Sequence, residues 1–435
     1  MMLQLLRLAE KVYAVLALLV FTDAGVRTLR YATGTQDLDA EYTDARLAAL
    51  FYLVYLTTTA LLALRWKSLP GIAIRALPLW TLMALALNSV LWSTVPDRTL
   101  RSSIALLGTT LFGIYLATRY TLQDQLKIVA SAMGIIAFLS VYFVVFDPFV
   151  GISGPPHEGT WRGAYSHKNG LGRGMVVCAI VFLLLGSTIR RYRWVAWSGA
   201  LFGTALVLLT NSRTALLILT TLVAVLSLCR ILRWHYSFAA PLLIAGTAVS
   251  SYAALWLGTN FEPVLDSLGR DVTLTGRTEL WGSVYELIQE RPLLGYGYDG
   301  FWLGWDGPSA EVWLQTGWDP PHAHNGYLDL WATLGIVGLV VFVLGFAWAY
   351  VKASFLIIRD QSMASFWPVI YLTFILIYNV TESTILKTNS IYWVLYVCTY
   401  VTMIVEPMRR TRKAVAGRGA REPSGGGKRW AKSLP

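Results

Sequence analysis

The sequence predicts an all-α, polytopic integral membrane protein of about twelve spans, on three observations. Hydrophobic residues make up 55% of the 435 and charged residues only 14%, against about 25% charged in a soluble domain. Apolar runs of the roughly 18–20 residues needed to cross a bilayer recur along the chain. The 18 tryptophans and 22 tyrosines suit aromatic belts at two water–lipid interfaces. The net charge of +11 is therefore read as loop charge that orients spans, not as a nucleic-acid footprint.

The first span is expected over 5–22. Arg7 and Lys11 precede an apolar run there, as in a signal peptide, but no small-residue cleavage site follows, so the span reads as retained. Further spans are expected at 47–64, 73–93, 101–118, 127–147, 170–187, 194–210, 214–232 and 238–257. The last three are expected at 325–351, 363–380 and 388–405. This divides the chain into a bundle over 1–257, a loop subdomain over 258–324, a second bundle segment over 325–405 and a basic, Gly-rich tail over 406–435. The even loops carry Arg65, Lys67, Arg75, Arg119, Lys127, Arg190, Arg191, Arg193, Arg230, Arg233, Lys352 and Arg359. By the positive-inside rule they face the cytoplasm, and the odd loops face outward. The tail is expected to be disordered.

Within the long loop, Leu280, Trp281, Val284, Tyr285, Leu287 and Ile288 recur at helical spacing, and Pro292 and Gly295 stop that helix. It is expected to lie over the membrane core as a lid or substrate platform. The run Gly295-Tyr296-Gly297-Tyr298-Asp299-Gly300-Phe301-Trp302 lacks a preceding strand and so is no nucleotide fingerprint. It reads as a turn presenting aromatic faces, Tyr298 among them, to sugars or to the interface. Cys178, Cys229 and Cys398 lie in apolar runs without CxxC spacing and read as small buried hydrophobes, not as ligands or a disulfide framework. The loop acids show no calcium-loop spacing, so no metal and no cofactor are expected.

Chemistry is expected where the long loop ends. Pro320-Pro321-His322-Ala323-His324-Asn325-Gly326 puts two imidazoles and an asparagine at the start of an apolar helix. The modest reading is that they are polar anchors of a helix end. Three outward cations alter the balance: Lys168 in Ser166-His167-Lys168-Asn169-Gly170, Arg213 in Ser212-Arg213-Thr214, and Arg277 in Gly276-Arg277-Thr278. Each alone suits a side chain snorkelling to lipid headgroups. Together they suit phosphate oxygens, which guanidinium forks grip in pairs. An imidazole among cations tends to stay neutral and can take a proton from a sugar hydroxyl. Gly335 and Gly338 allow close helix contacts, ordinary packing being the simpler reading.

These stretches resemble the O-antigen ligase and polymerase family of bacterial membrane glycosyltransferases. The likeness rests on His324-Asn325 followed by Gly335-x-x-Gly338, on the 166–170 stretch, on Ser212-Arg213-Thr214 and on Gly276-Arg277-Thr278, and runs from about 70 to 405. The resemblance implies a glycan donor on undecaprenyl pyrophosphate, used on the periplasmic side of the inner membrane without metal or nucleotide sugar. It implies that Arg213 and Arg277 hold the pyrophosphate, with Lys168 in support, and that His324 is the essential histidine. His322, Asn325 and Tyr298 are taken as further substrate contacts. The acceptor is a second lipid-linked repeat in polymerases or lipid A core in ligases, and the Ala-His-Asn-Gly-Tyr-Leu-Asp stretch leans toward exopolysaccharide polymerases. Membrane lipids are expected partners and nucleic acid is not. A lipid-linked glycan transporter is the rival class, weakened by the lack of internal repeats. A non-catalytic scaffold of an assembly complex is another.

Overall fold

A computed structural model describes residues 2–35, 37–38, 44–65, 70–155, 158–188, 191–234 and 277–419. The expected span at 238–257, the rest of the loop up to Gly276 and residues 420–435 of the tail lie outside the described residues. The helices, in chain order, are α1 (Met2–Val20), α2 (Asp23–Ala32), α3 (Ala45–Ala63), α4 (Pro70–Ala73), α5 (Leu77–Asn88), α6 (Pro96–Arg119), α7 (Leu122–Phe146) and α8 (Pro148–Gly151). Then come α9 (Lys168–Thr188), α10 (Arg193–Leu209), α11 (Arg213–Trp234), α12 (Arg277–Glu290), α13 (Ser309–Thr316), α14 (Gly326–Arg359), α15 (Trp367–Tyr378) and α16 (Ile391–Gly419). The chain is thus an all-α polytopic membrane protein, as its composition predicts.

Seven of these helices, α3, α6, α7, α9, α11, α14 and α16, are long and apolar enough to cross a membrane. The expected spans at 73–93, 194–210 and 363–380 appear as shorter apolar segments, Leu77–Leu91, Arg193–Leu209 and Met363–Tyr378. Helices α9 and α16 are the most enclosed of the long ones. Helices α7, α10 and α11 pack on α9, while α6 packs on α16. Large apolar side chains such as Leu16, Leu53, Phe138, Phe146 and Leu217 stay exposed on outer helix faces, as expected of a surface that meets lipid rather than water.

One end of the bundle is held by basic side chains. Glu10 on α1 takes Arg65 at 2.7 Å and Arg119 through its other oxygen. Arg409 donates to Ala117, Thr118 and Tyr120 carbonyls, capping the C-terminus of α6. Arg233 does the same past the end of α14, at Ile357, Gln361 and Ser362. Cations are favoured at helix C-termini. The loops after α1, α7, α10, α14's preceding segment and α15 gather at the opposite end.

Helix α14 is not continuous. Gly335 has φ 68° and ψ −175°, a combination essentially confined to glycine. The groups freed by this break pair with the segment 292–297. Tyr296 and Gly297 amides donate to Ala332 and Thr333 carbonyls at 2.9 and 3.0 Å, and the Ile336 amide donates to the Pro292 carbonyl at 2.8 Å. A Cβ on Gly335 would collide with the Leu293 carbonyl. The glycine therefore serves a helix break and a docked loop, which corrects the expectation that it merely eases helix packing.

The predicted loop helix is α12. With Tyr296, Phe301, Val312, Ala323 and Ala332 it forms a small core of its own through Leu280, Val284, Leu287 and Ile288. The Gly-rich turn that follows points its aromatic rings inward. Tyr296 donates to the Leu287 carbonyl at 2.9 Å and to Glu290 at 2.7 Å. Tyr298 is buried and donates to the Leu386 carbonyl. Arg98 clamps this turn from α6 through Asp299, 3.0 Å away.

Candidate functional site

The residues that end the long loop meet the loop between α15 and α16. His324 begins the encounter from an unusual backbone position, φ 47°, a left-handed conformation that histidine adopts more readily than most residues but that still costs energy. Its neighbours hold it there. Asn325 caps α14, its Oδ1 accepting from Tyr327 and Leu328 amides at 3.1 and 3.3 Å. The Gly326 amide donates to the Asn379 and Glu382 carbonyls, 2.8 and 3.1 Å away. Asn379 in turn folds the second loop, accepting from Thr384 and Ile385 amides on Oδ1.

Asp329 fastens the two loops together. Its Oδ1 accepts from the Ala323 amide at 3.0 Å and from Trp302 Nε1 at 2.8 Å, and its Oδ2 accepts from Ser383 Oγ. Ala323 precedes His324, and Ser383 follows Glu382. One carboxylate thus fixes the backbone beside both of those side chains.

Glu382 occupies the centre. Its Oε2 lies 3.5 Å from His324 Nδ1 and its Oε1 lies 3.9 Å from Arg277. The buried Nδ1 has no hydrogen-bond partner, and 3.5 Å is a long contact rather than a full hydrogen bond. Burial pushes the Glu382 carboxyl up, but contact with His324 and the charge of Arg173 outweigh it and hold it down, at about 2. His322 stacks obliquely on His324, ring centroids 4.2 Å apart. Burial, helped by the charge of Lys387, holds the His322 imidazole well below its ordinary range, so it is neutral. Its Nδ1 accepts the His324 amide at 3.1 Å, which leaves the proton of a neutral ring on Nε2. Trp318, exposed, lies near-parallel to the His324 ring, centroids 6.1 Å apart.

Arg173, on α9, is the cation that sequence reasoning missed. Its guanidinium lies over Tyr378 and Tyr392, 5.1 and 4.5 Å from their ring centres. Its Nε is buried without a hydrogen-bond partner. The signal was present: a lone arginine inside an apolar run is a functional candidate by default. Glu382 and Lys387 carried no such signal, since each stands in a short polar loop.

Of the residues singled out from the sequence, His322, His324, Asn325 and Arg277 come together. Asn325 is occupied as a helix cap. Lys168 and Arg213 share a neighbouring corner: each begins a helix, and Ser212 between α10 and α11 donates to Asn169 at 3.1 Å. Tyr298 stands apart as a buried anchor of the loop that bears Lys387. By spacing alone, His322, His324 and Glu382 could hold a metal ion, their donor atoms lying within 4.8 Å of one another. The surroundings oppose it, because Arg277 and Arg173 already face that carboxylate and would repel a divalent cation.

This helical frame is that of a membrane protein with a histidine, a carboxylate and arginines gathered at one end. Residues 198–343 match the O-antigen ligase family model. The chain is also 25% identical, over 275 residues, to the exopolysaccharide production protein ExoQ of Rhizobium meliloti (strain 1021), a match that covers 59% of this chain and 60% of that protein. Both findings support the resemblance read from the sequence, that of an O-antigen ligase/polymerase-like membrane protein.

Proposed function

We propose that this chain moves a glycan from an undecaprenyl-pyrophosphate donor to an acceptor sugar hydroxyl, at a site facing the periplasm of a bacterial inner membrane. The observation that carries the reading is the meeting of His324, Glu382 and Arg277 beside Arg173, whose buried Nε lacks a partner. Arg277 and Arg173 suit the pyrophosphate, and Lys168 and Arg213, at the adjoining corner, suit the rest of the donor. The arginines gathered at the opposite end of the bundle support outward placement.

In the reaction, His324 Nε2 takes the proton of the acceptor hydroxyl. The hydroxyl oxygen forms a bond to the anomeric carbon, and the bond from that carbon to the phosphate oxygen breaks. The electron pair leaves with the pyrophosphate, where the guanidinium groups stabilise it. A single displacement inverts the linkage. No metal is needed to neutralise the leaving group when arginines do so, and transfer should survive a chelator.

Polymerisation of surface polysaccharide repeats is the favoured outcome, in keeping with the exopolysaccharide role in the name of ExoQ. Purified lipid-linked repeats, supplied with and without lipid A core, separate the alternatives: a product ladder indicates a polymerase and one transfer to core a ligase. His324→Ala should lower transfer about 10²–10⁴-fold in a membrane assay, to a residual rate that can still be measured. Unchanged transfer would reject the role, and movement of labelled lipid without transfer would favour a transporter.

A further inference from the structure

We propose that Glu382 is the positioning residue of His324: it fixes the ring so that Nδ1 carries the proton and Nε2 stays open to the acceptor hydroxyl. This rests on the reading of His324 as the base. The buried Nδ1 makes no hydrogen bond, and the Glu382 carboxylate lies 3.5 Å from it. A neutral imidazole has one N–H and one bare nitrogen, and the partner of one nitrogen decides the state of the other. The 3.5 Å separation closes to a full hydrogen bond with a small shift of either group, as such contacts tighten when substrate is bound.

The arrangement is built rather than incidental. Asp329 takes the amide before His324 and the hydroxyl after Glu382, so the two side chains, from separate loops, are set on one anchor. Gly326 donates to the carbonyl of Glu382 itself, and a side chain at Gly326 would collide with Asn379. The second carboxylate oxygen faces Arg277 at 3.9 Å. That contact gives Glu382 a second consequence. A pyrophosphate arriving at Arg277 competes with Glu382 for the guanidinium, and each phosphate contact made there frees carboxylate charge for His324. Donor binding and readiness of the base are thereby linked through one side chain.

The test uses the full-length protein in detergent or liposomes, with purified lipid-linked repeats and acceptor. In Glu382→Gln the amide keeps the shape but loses the charge, and kcat should fall about 100-fold or more. KM for the donor should stay within about threefold of the unaltered protein, since Arg277 and Arg173 remain. Glu382→Asp should recover part of the loss. In a His324→Ala background, Glu382→Gln should cost nothing further, because groups that act as one unit do not add. A merely structural role would instead lower the residual activity of the His324→Ala background by a similar factor. A fall in donor affinity with kcat unchanged would overturn the proposal and make Glu382 a donor-site residue. Wild-type kcat in Glu382→Gln, with His324→Ala impaired, would overturn it while leaving the transferase reading intact. A His324→Ala protein with wild-type kcat would overturn both.

Discussion

Replacing Gly335 by alanine tests whether the break in α14 carries the architecture of the site. At φ 68° and ψ −175° a residue with a Cβ is strained by about 1–3 kcal/mol, and the added methyl meets the Leu293 carbonyl, for an overpacking cost of roughly 1–3 kcal/mol. If α14 straightens instead, it expels the segment 292–297. The bonds from Tyr296, Gly297, Ile336 and Val337 are then lost, at about 1 kcal/mol net for each. Either route costs roughly 2–6 kcal/mol, a large share of the 5–15 kcal/mol by which domains are typically stable. Thermal unfolding in detergent, followed by tryptophan fluorescence, measures the loss, and transfer activity should fall with it because α12 and His324 both hang on this docked loop. Gly282→Ala is the control: it lies in α12 with open space around it and should stabilise by up to about 1 kcal/mol. A Gly335→Ala protein that melts and transfers like the Gly282→Ala control would refute the reasoning.

Asp329→Ala should leave the Ala323 amide, the Trp302 indole N–H and the Ser383 hydroxyl without their acceptor, at roughly 1–3 kcal/mol for each donor left unsatisfied. Asp329→Asn, which keeps one carbonyl oxygen, should be milder in both melting temperature and transfer; equal behaviour of the two would argue against the clamp. Acid should also weaken the fold through Glu382. Its folded value, about 2, lies below the ordinary 4.5, so its contribution is fully present above about 4.5 and is lost as pH falls toward 2. The decline in melting temperature across that window should be shallower in Glu382→Gln, and identical slopes would show that Glu382 is not the group responsible.

The class of fold was legible because it rests on composition and run length, which no tertiary contact alters. Helix α12 was legible for a similar reason, its apolar stripe being regular and its stop at Pro292 explicit. The break at Gly335 was not. Leu334-Gly335-Ile336-Val337-Gly338 reads as uninterrupted apolar helix, and only the amides of a distant segment make the interruption tolerable. Sequence order also gave the His322-x-His324 pair and Arg277 as neighbours of one site. It gave no hint that Glu382 lies between His324 and Arg277, because that role arises from the Asp329 and Gly326 contacts and not from the residues flanking it. Tyr298 looked like an exposed sugar platform since an aromatic-glycine run is typical of both surface turns and inward anchors. Its burial was decided by Leu386.

The backbone exchange at Gly335 has a mechanical consequence. A stretch of loop whose amides stand in for a helix's own hydrogen bonds behaves as a weld. Detaching it exposes at least four peptide groups at once, worth about 4 kcal/mol in total even where water can reach them and more in hydrocarbon, so the detached state is populated less than about once in a thousand. The segment 292–297 therefore moves with the N-terminal half of α14 as one rigid body, and the flank it covers stays closed to anything that enters the bundle from the side.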